Sequence, residues 1–468
     1  MLARKGDTKY PLLYIGVLLL ALVTGATIAY APTYLGHSGP YIVVGAFLVA
    51  ITVVAILLKW QLGVLVLPAL LPYEDLINIG SVASGIKVVA LLTLFSLGLA
   101  LLREQREFER FLRLWREPLT IVSFVFLMWV FASMFWASEE ETALIKSITF
   151  LGVFALMIIT AMLEERDLML LWAVTALSAV TSIPAAFVLL GGAALATDER
   201  FTVTVGSRGL DPNDYACLLA IVFAVAFFGL RRYNMLAYVL APVIFFGVFA
   251  SLSRTGLITL LAAPAIVALV PRLAVGVRGR ALLMYGLGAI ILAGIILAIP
   301  SVGQGVSERY LTLSHFEDQT TWSGRWDIWR AALQIIVSHP FLGVGVGNFP
   351  HAALDLSAQV IQLNAEQAET GGVAHNMLLS VASELGFIGL LLFSAILFFT
   401  FKALIPVSRR SALGTGLFVG VVAYLITGLT LTWEYEKIGY VLIGSVLSLS
   451  LQPARQPASS PRRQEQTC

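Results

Sequence analysis

The sequence predicts an all-α fold, a polytopic transmembrane helical bundle of about 12–14 spans, and three observations carry that prediction. Of its 468 residues, 59% are hydrophobic and only 12% charged, about half the charge density of a soluble domain. The apolar residues come in blocks of about 17 to 24, the length that crosses a hydrocarbon core of about 30 Å as helix. Prolines punctuate the blocks: Pro11, Pro118 and Pro212 suit helix starts, and Pro271 and Pro300 suit stops. A soluble metabolic enzyme and a porin-type barrel are both excluded.

In chain order, Arg4 and Lys5 precede an apolar run ending Ala29-Tyr30-Ala31, which mimics a secretory signal, but Pro32 directly after that triplet argues against cleavage. The run, near 11–31, therefore reads as the first span. Further spans are expected near 41–58, 61–72, 84–102, 118–136, 142–163 and 167–190, then near 213–230, 234–250, 255–270, 281–300, 376–401, 411–431 and 437–451. The organisation that follows is N-terminal helices over 1–200, helices with outer-face arginine motifs over 201–300, and an outer loop over 301–375. C-terminal helices over 376–451 and a disordered cytoplasmic tail over 452–468, rich in Pro, Ser and Arg, complete it.

Charge orients these spans. With both termini cytoplasmic, the inner connections take Arg4, Lys5, Lys59, the Arg103–Arg116 cluster, Arg231, Arg232, Arg278, Arg280, Arg409 and Arg410 among about 21 of the 30 basic residues. The outer face receives Glu74-Asp75, Glu139-Glu140-Glu141 and about nine basic residues. The net charge of +2 has no block that points to nucleic acid, so no nucleic-acid partner is expected. Cys217 and Cys468 imply neither a disulfide framework nor a cysteine metal site.

The outer segment Ser301–Ala374 is too long for a passive turn. Within it, Trp322, Trp326, Trp329 and Leu333 fall on one helical stripe, which predicts a helix lying on the membrane surface. Arg325 and Arg330 flank that stripe as snorkelling residues would, and Asp327 points away from it, into solvent.

Since outer basic residues are scarce, those without a nearby acidic residue in sequence are informative. Arg254, in Ser251-Leu-Ser-Arg-Thr-Gly256, has no acidic residue within about 40 positions; it is either a lipid-snorkelling residue or an anion site. Arg208 stands three residues from Asp211, which either pairs with it or, with Pro212 and Asn213, starts a helix. His375 and Asn376 mark where the outer loop re-enters the membrane, and a histidine there takes a proton near neutral pH or is structural. Glu384, nine residues on, lies about 13 Å deeper on the opposite face and is not a direct partner of His375. Neither an Asp-x-Asp pair nor a His-Glu-x-x-His motif is present, so metal-dependent transferase or protease chemistry is not expected and no metal or other cofactor is assigned. Gly343-Val-Gly-Val-Gly347 has no βαβ context and reads as loop turns rather than a nucleotide site.

These segments resemble the O-antigen ligase and O-antigen polymerase superfamily of bacterial membrane glycosyltransferases over about residues 200–395. The carriers are Arg-Gly-Leu-Asp-Pro-Asn at 208–213, Ser-Arg-Thr-Gly at 253–256, Ser-Gly-Arg-Trp-Asp-Ile-Trp at 323–329, His-Pro-Phe-Leu-Gly-Val-Gly at 339–345, and His375-Asn376 followed by Gly386-Phe-Ile-Gly389. The resemblance implies a metal-independent glycosyltransferase of the bacterial inner membrane, its site facing the periplasm. It would move a glycan from a polyprenyl (undecaprenyl) diphosphate carrier to an acceptor saccharide, such as a lipid A core of lipopolysaccharide or another repeat unit. It further implies His375 as the group that activates or orients the acceptor hydroxyl, with Arg254, Arg325 and, as a third member, Arg208 binding the diphosphate. Asn376 would orient the glycan or the histidine, and the tryptophans, Trp326 among them, would seat the loop or stack on sugars. A protein O-oligosaccharyltransferase of the same superfamily and a flippase for lipid-linked glycan are the alternatives. Membrane lipid is the remaining expected partner.

Overall fold

The computed structural model describes residues 39–79, 83–189, 204–205, 208–209, 211–230, 236–269, 294, 319–357 and 372–452. The spans expected near 11–31 and 281–300, and the tail beyond Gln452, lie outside these residues. Within them the chain is helical apart from two antiparallel pairs of two-residue strands. Helices α1 (Gly39–Leu58), α2 (Trp60–Leu70), α3 (Gly85–Arg103), α4 (Gln105–Leu114), α5 (Pro118–Ala132), α6 (Glu140–Ala161) and α7 (Glu165–Leu189) form the first half. They are followed by α8 (Pro212–Val225), α9 (Leu236–Ala250), α10 (Arg254–Leu269), α11 (Gln319–Ser338), α12 (Phe349–Ser357), α13 (Met377–Arg410), α14 (Ala412–Gly428) and α15 (Lys437–Leu451).

Six of these segments are long and apolar enough to cross a bilayer: Gly85–Arg103, Pro118–Trp136, Glu140–Ala161, Glu165–Pro184, Pro212–Leu230 and Met377–Arg410. The expected span starts at Pro118 and Pro212 are observed, with Pro at the first helical turn in both. One helix was not foreseen. The basic connection after Arg103 folds as α4, because Phe108, Phe111, Leu112 and Trp115 recur at helical spacing. Arg106 pairs with Glu164 at 2.8 Å and Arg110 donates to the Leu163 carbonyl at 2.8 Å, tying α4 beneath α6 and α7.

Helix α8 is the centre of the bundle. Every residue from Tyr215 through the π-helical turn ending at Leu230 is buried, against α7, α9, α10 and α14. Glycine allows this approach, since a Cβ at Gly256 on α10 would stand 2.5 Å from Ala216 Cβ, and one at Gly416 on α14 would stand 2.6 Å from the Gly229 nitrogen. The close packing fixes the N-terminus of α8 between the starts of its neighbours, where the candidate site lies.

Helix α13 is longer than the 376–401 span expected, and it breaks at Gly386, whose φ of 66° requires glycine. The break frees carbonyls that the Gly343–Gly347 loop takes up, Val344 N donating to Ser383 O at 3.0 Å and Gly345 N to Glu384 O at 2.9 Å, and it frees the Phe387 N–H, which donates to Pro340 O at 2.8 Å. The glycines of that loop therefore serve docking, in agreement with their reading as turns. A side chain at Gly386 would collide with the Phe341 carbonyl. Gly386→Ala is expected to cost about 2 kcal/mol or more in strain and lost docking, read as a lower Tm of the purified protein in detergent; an unchanged Tm would contradict the docking role.

Candidate functional site

The Asp-Pro-Asn-Asp segment both starts α8 and holds its surroundings. Asp211 is the N-cap, its carboxylate accepting from the Asn213 N–H at 2.7 Å. The Asn213 side-chain oxygen accepts from Ser253 Oγ at 3.0 Å, and Asp214 accepts from the Trp433 indole N–H at 2.7 Å. One helical turn thus grips two other segments.

The first of these carries Arg254. Ser251 Oγ accepts from Ser253 N at 3.2 Å, Leu252 takes a left-handed φ of 54°, and Ser253 Oγ accepts from Gly256 N at 3.1 Å. Ser253 therefore caps α10, and half-buried Arg254 opens that helix, where the unsatisfied N–H groups also favour an anion. Thr255 accepts from the Thr430 hydroxyl at 3.1 Å, which ties this turn to the 429–434 segment.

The second, reached through Trp433, is the turn after α14, and it bonds His375 and Asn376. Asn376 caps α13, accepting from Leu378 N and Leu379 N at 3.0 Å each, while its amide donates to the Leu429 carbonyl at 3.1 Å. His375 has a φ of 46° and donates its N–H to Thr432 Oγ1 at 3.0 Å. Among the described residues, Leu252 and His375 are the two non-glycine residues at positive φ, and each flanks a segment singled out by chemistry. Such conformations cost on the order of 1–3 kcal/mol each and persist where the surroundings impose them.

Arg325 reaches the same place from α11. One turn beyond it, the Trp329 indole donates to the Ala374 carbonyl at 3.1 Å, next to His375. Arg325 is half-buried. Burial lowers its pKa and the Asp211 carboxylate opposes that shift. The His375 imidazole feels the same groups: burial lowers its pKa first, Arg325 lowers it further, and Asp211 raises it. Asp211 thus lies within electrostatic range of Arg325 and His375.

The other expected site residues separate. Arg208 lies in a two-residue strand opposite Val205, and its side chain, like that of Trp322, lies outside the described residues. Trp326 and Leu333 are outward-facing, at 55% and 54% exposure, while α11 packs inward through Ile328, Ala331, Ala332 and Ile335. Of the expected stripe, Trp326 and Leu333 lie on the outer face of α11, whereas Trp329, edge-to-face with Trp326, turns inward. Asp327 pairs with exposed Arg330 at 3.9 Å, away from the site. Glu384 is packed between elements, accepting from Gly347 N at 2.8 Å and Phe349 N at 3.4 Å.

The segment that sequence reasoning missed is Leu429–Glu434. The span expected over 411–431 ends at Gly428 instead, and the turn beyond it bonds Thr255, His375, Asn376 and Asp214. Trp433 and Glu434 are buried there; Ser380 donates to one Glu434 carboxylate oxygen at 2.7 Å, and the other has no hydrogen-bond partner among the described residues. Burial and the neighbouring Glu384 push Glu434 up to about 8. The signal in the sequence is a polar run, Thr430, Thr432 and Glu434, masked by Leu429 and Leu431.

Residues 236–394 match the family model described as O-antigen ligase, which covers about a third of the chain and includes Arg254, Arg325, His375, Asn376 and Gly386. Asp211 and the 429–434 turn lie outside the match. No curated protein matches the chain. The matched segment is similar to the O-antigen ligase family, and six of the described segments are long and apolar enough to cross a membrane.

Proposed function

We infer from the O-antigen ligase domain and the site it contains that the protein transfers a glycan from a polyprenyl diphosphate carrier to the hydroxyl of an acceptor saccharide. The observation that supports the reading is that α11 is bonded beside His375 through Trp329 and Ala374, with Arg325 and His375 within electrostatic range of each other and of Asp211, and that Arg254 opens α10 beside the α8 N-terminus. Transfer needs a base for the attacking hydroxyl and fixed positive charge for the departing diphosphate.

In this reading the acceptor oxygen attacks the anomeric carbon, the carbon–oxygen bond to the diphosphate breaks, and His375 takes the hydroxyl proton. Arg325 and Arg254 hold the diphosphate oxygens, for which the planar guanidinium supplies paired donors and a permanent charge; Arg208 is the third candidate for this role. Asn376 holds the entry to α13 and so orients the histidine, and Trp326, exposed on the outer face of α11, is the candidate for stacking on a sugar ring. The site faces the periplasm, with both termini cytoplasmic, as the bias of Lys and Arg requires.

A strain lacking the gene tests this through its lipid-linked glycans. Single repeat units accumulating on the carrier are the outcome expected of a missing polymerase, and full-length polymer on the carrier that of a missing ligase. A carrier-lipid profile identical to the parent strain would sink the reading.

A further inference from the structure

The left-handed backbone at His375 needs an explanation, because a histidine at φ 46° reverts to a more extended conformation unless something holds it. Asn376 on its C-terminal side is fixed by capping α13 and by its amide bond to Leu429. On the N-terminal side Ala374 is held by the Trp329 indole. Between them, the His375 N–H is taken by the Thr432 hydroxyl at 3.0 Å. Thr432 is itself in a rigid place: its neighbour Trp433 is buried, donates to Asp214 at 2.7 Å, and has its carbonyl bonded by the Tyr424 hydroxyl at 2.7 Å, while Glu434 is bonded by Ser380.

We propose that Thr432 is a positioning residue for His375, its hydroxyl holding the histidine backbone in the one conformation that keeps the imidazole beside Arg325 and Asp211. The role in catalysis rests on the function proposed above; the geometric role does not. Thr432 lies beyond the family match and one residue past the span expected over 411–431. Its contact is with the backbone of His375, so no motif in the neighbourhood of the histidine reveals it. The turn also carries Thr430, bonded to Thr255 beside Arg254, so the element that sets the histidine is continuous with the one that meets the arginine turn.

Thr432→Val keeps the shape and removes the acceptor oxygen, whereas Thr432→Ser keeps the oxygen and removes the methyl. Both would be made in the full chain, purified in nanodiscs with 13C-labelled histidine, the His375 resonance being identified by its loss in His375→Gln. The charged groups facing the imidazole are Arg325 and Asp211, and burial is the largest influence on it. Release of the ring from that place is therefore expected to raise its titration midpoint toward that of an ordinary histidine in Thr432→Val, with the wild-type midpoint kept in Thr432→Ser. With a lipid-diphosphate-linked glycan and acceptor, kcat is expected to fall at least tenfold in the valine variant, with donor KM unchanged, and to recover in the serine variant. A valine variant with the wild-type midpoint overturns the proposal, as does a serine variant as altered as the valine one. A wild-type protein that transfers no glycan sinks the functional reading instead, while the titration still decides the role of Thr432.

Discussion

Replacing His375 by alanine is expected to lower kcat for glycan transfer by roughly 10²–10⁴-fold, the usual worth of a positioned acid–base group, which corresponds to about 3–5 kcal/mol in the barrier. Donor KM should change little, because the diphosphate is assigned to the arginines. The pH profile gives an independent reading. A base must be neutral to accept a proton, and His375 is held below its ordinary value by burial and then by Arg325. The rate should therefore rise with pH through a midpoint below about 6.5 and reach its plateau by neutral pH. Turnover that survives in His375→Ala, in a preparation that still binds donor, would remove the histidine from the chemistry. An acid limb lying above the ordinary histidine value would contradict the environment described for it.

Much of this fold was legible because a bilayer imposes length and polarity directly on sequence. Pro118 and Pro212 fixed two starts, and the apolar blocks fixed most of the rest. What the hydropathy pattern could not express were features made by contacts distant in the chain. The break at Gly386 depends on a loop some 40 residues earlier supplying N–H groups. The α4 helix was overlooked because its three arginines, Arg106, Arg110 and Arg113, read as topology before they read as part of a helix. The end of α14 at Gly428 was missed because two leucines beyond it carried the apolar average onward.

The site was legible to a similar depth. Residues Arg254, Arg325, His375 and Asn376 were identified by scarcity of outer charge and by family resemblance, and the fold brings Arg325 to His375 through a contact, Trp329 to Ala374, that spans 45 positions. Asp211 was weighed as a partner of Arg208 or as a helix start; the helix start is observed, and the field of Asp211 also acts on Arg325 and His375. Local spacing reveals caps and stripes; it does not reveal which helix start faces which loop.

Arg325 provides the most discriminating test, because it is asked to do two things at once. As a diphosphate ligand its loss in Arg325→Ala should raise donor KM and slow departure of the leaving group, a combined fall in kcat/KM on the order of 10²–10³-fold. As a neighbour of His375 it also depresses the histidine pKa, so its removal should move the acid limb of the residual rate to higher pH. The sign is fixed: taking away a positive charge makes the imidazolium easier to form. Arg325→Lys restores the charge without the planar pair of donors, so it should return the limb toward its original position while recovering only part of kcat/KM. Arg254→Ala serves as the companion, with a comparable loss of donor binding expected from the opening turn of α10. If Arg325→Ala lowers kcat/KM with the acid limb unmoved, the arginine binds donor without facing the histidine; if the limb moves and donor KM does not, it tunes the base and the diphosphate is held elsewhere.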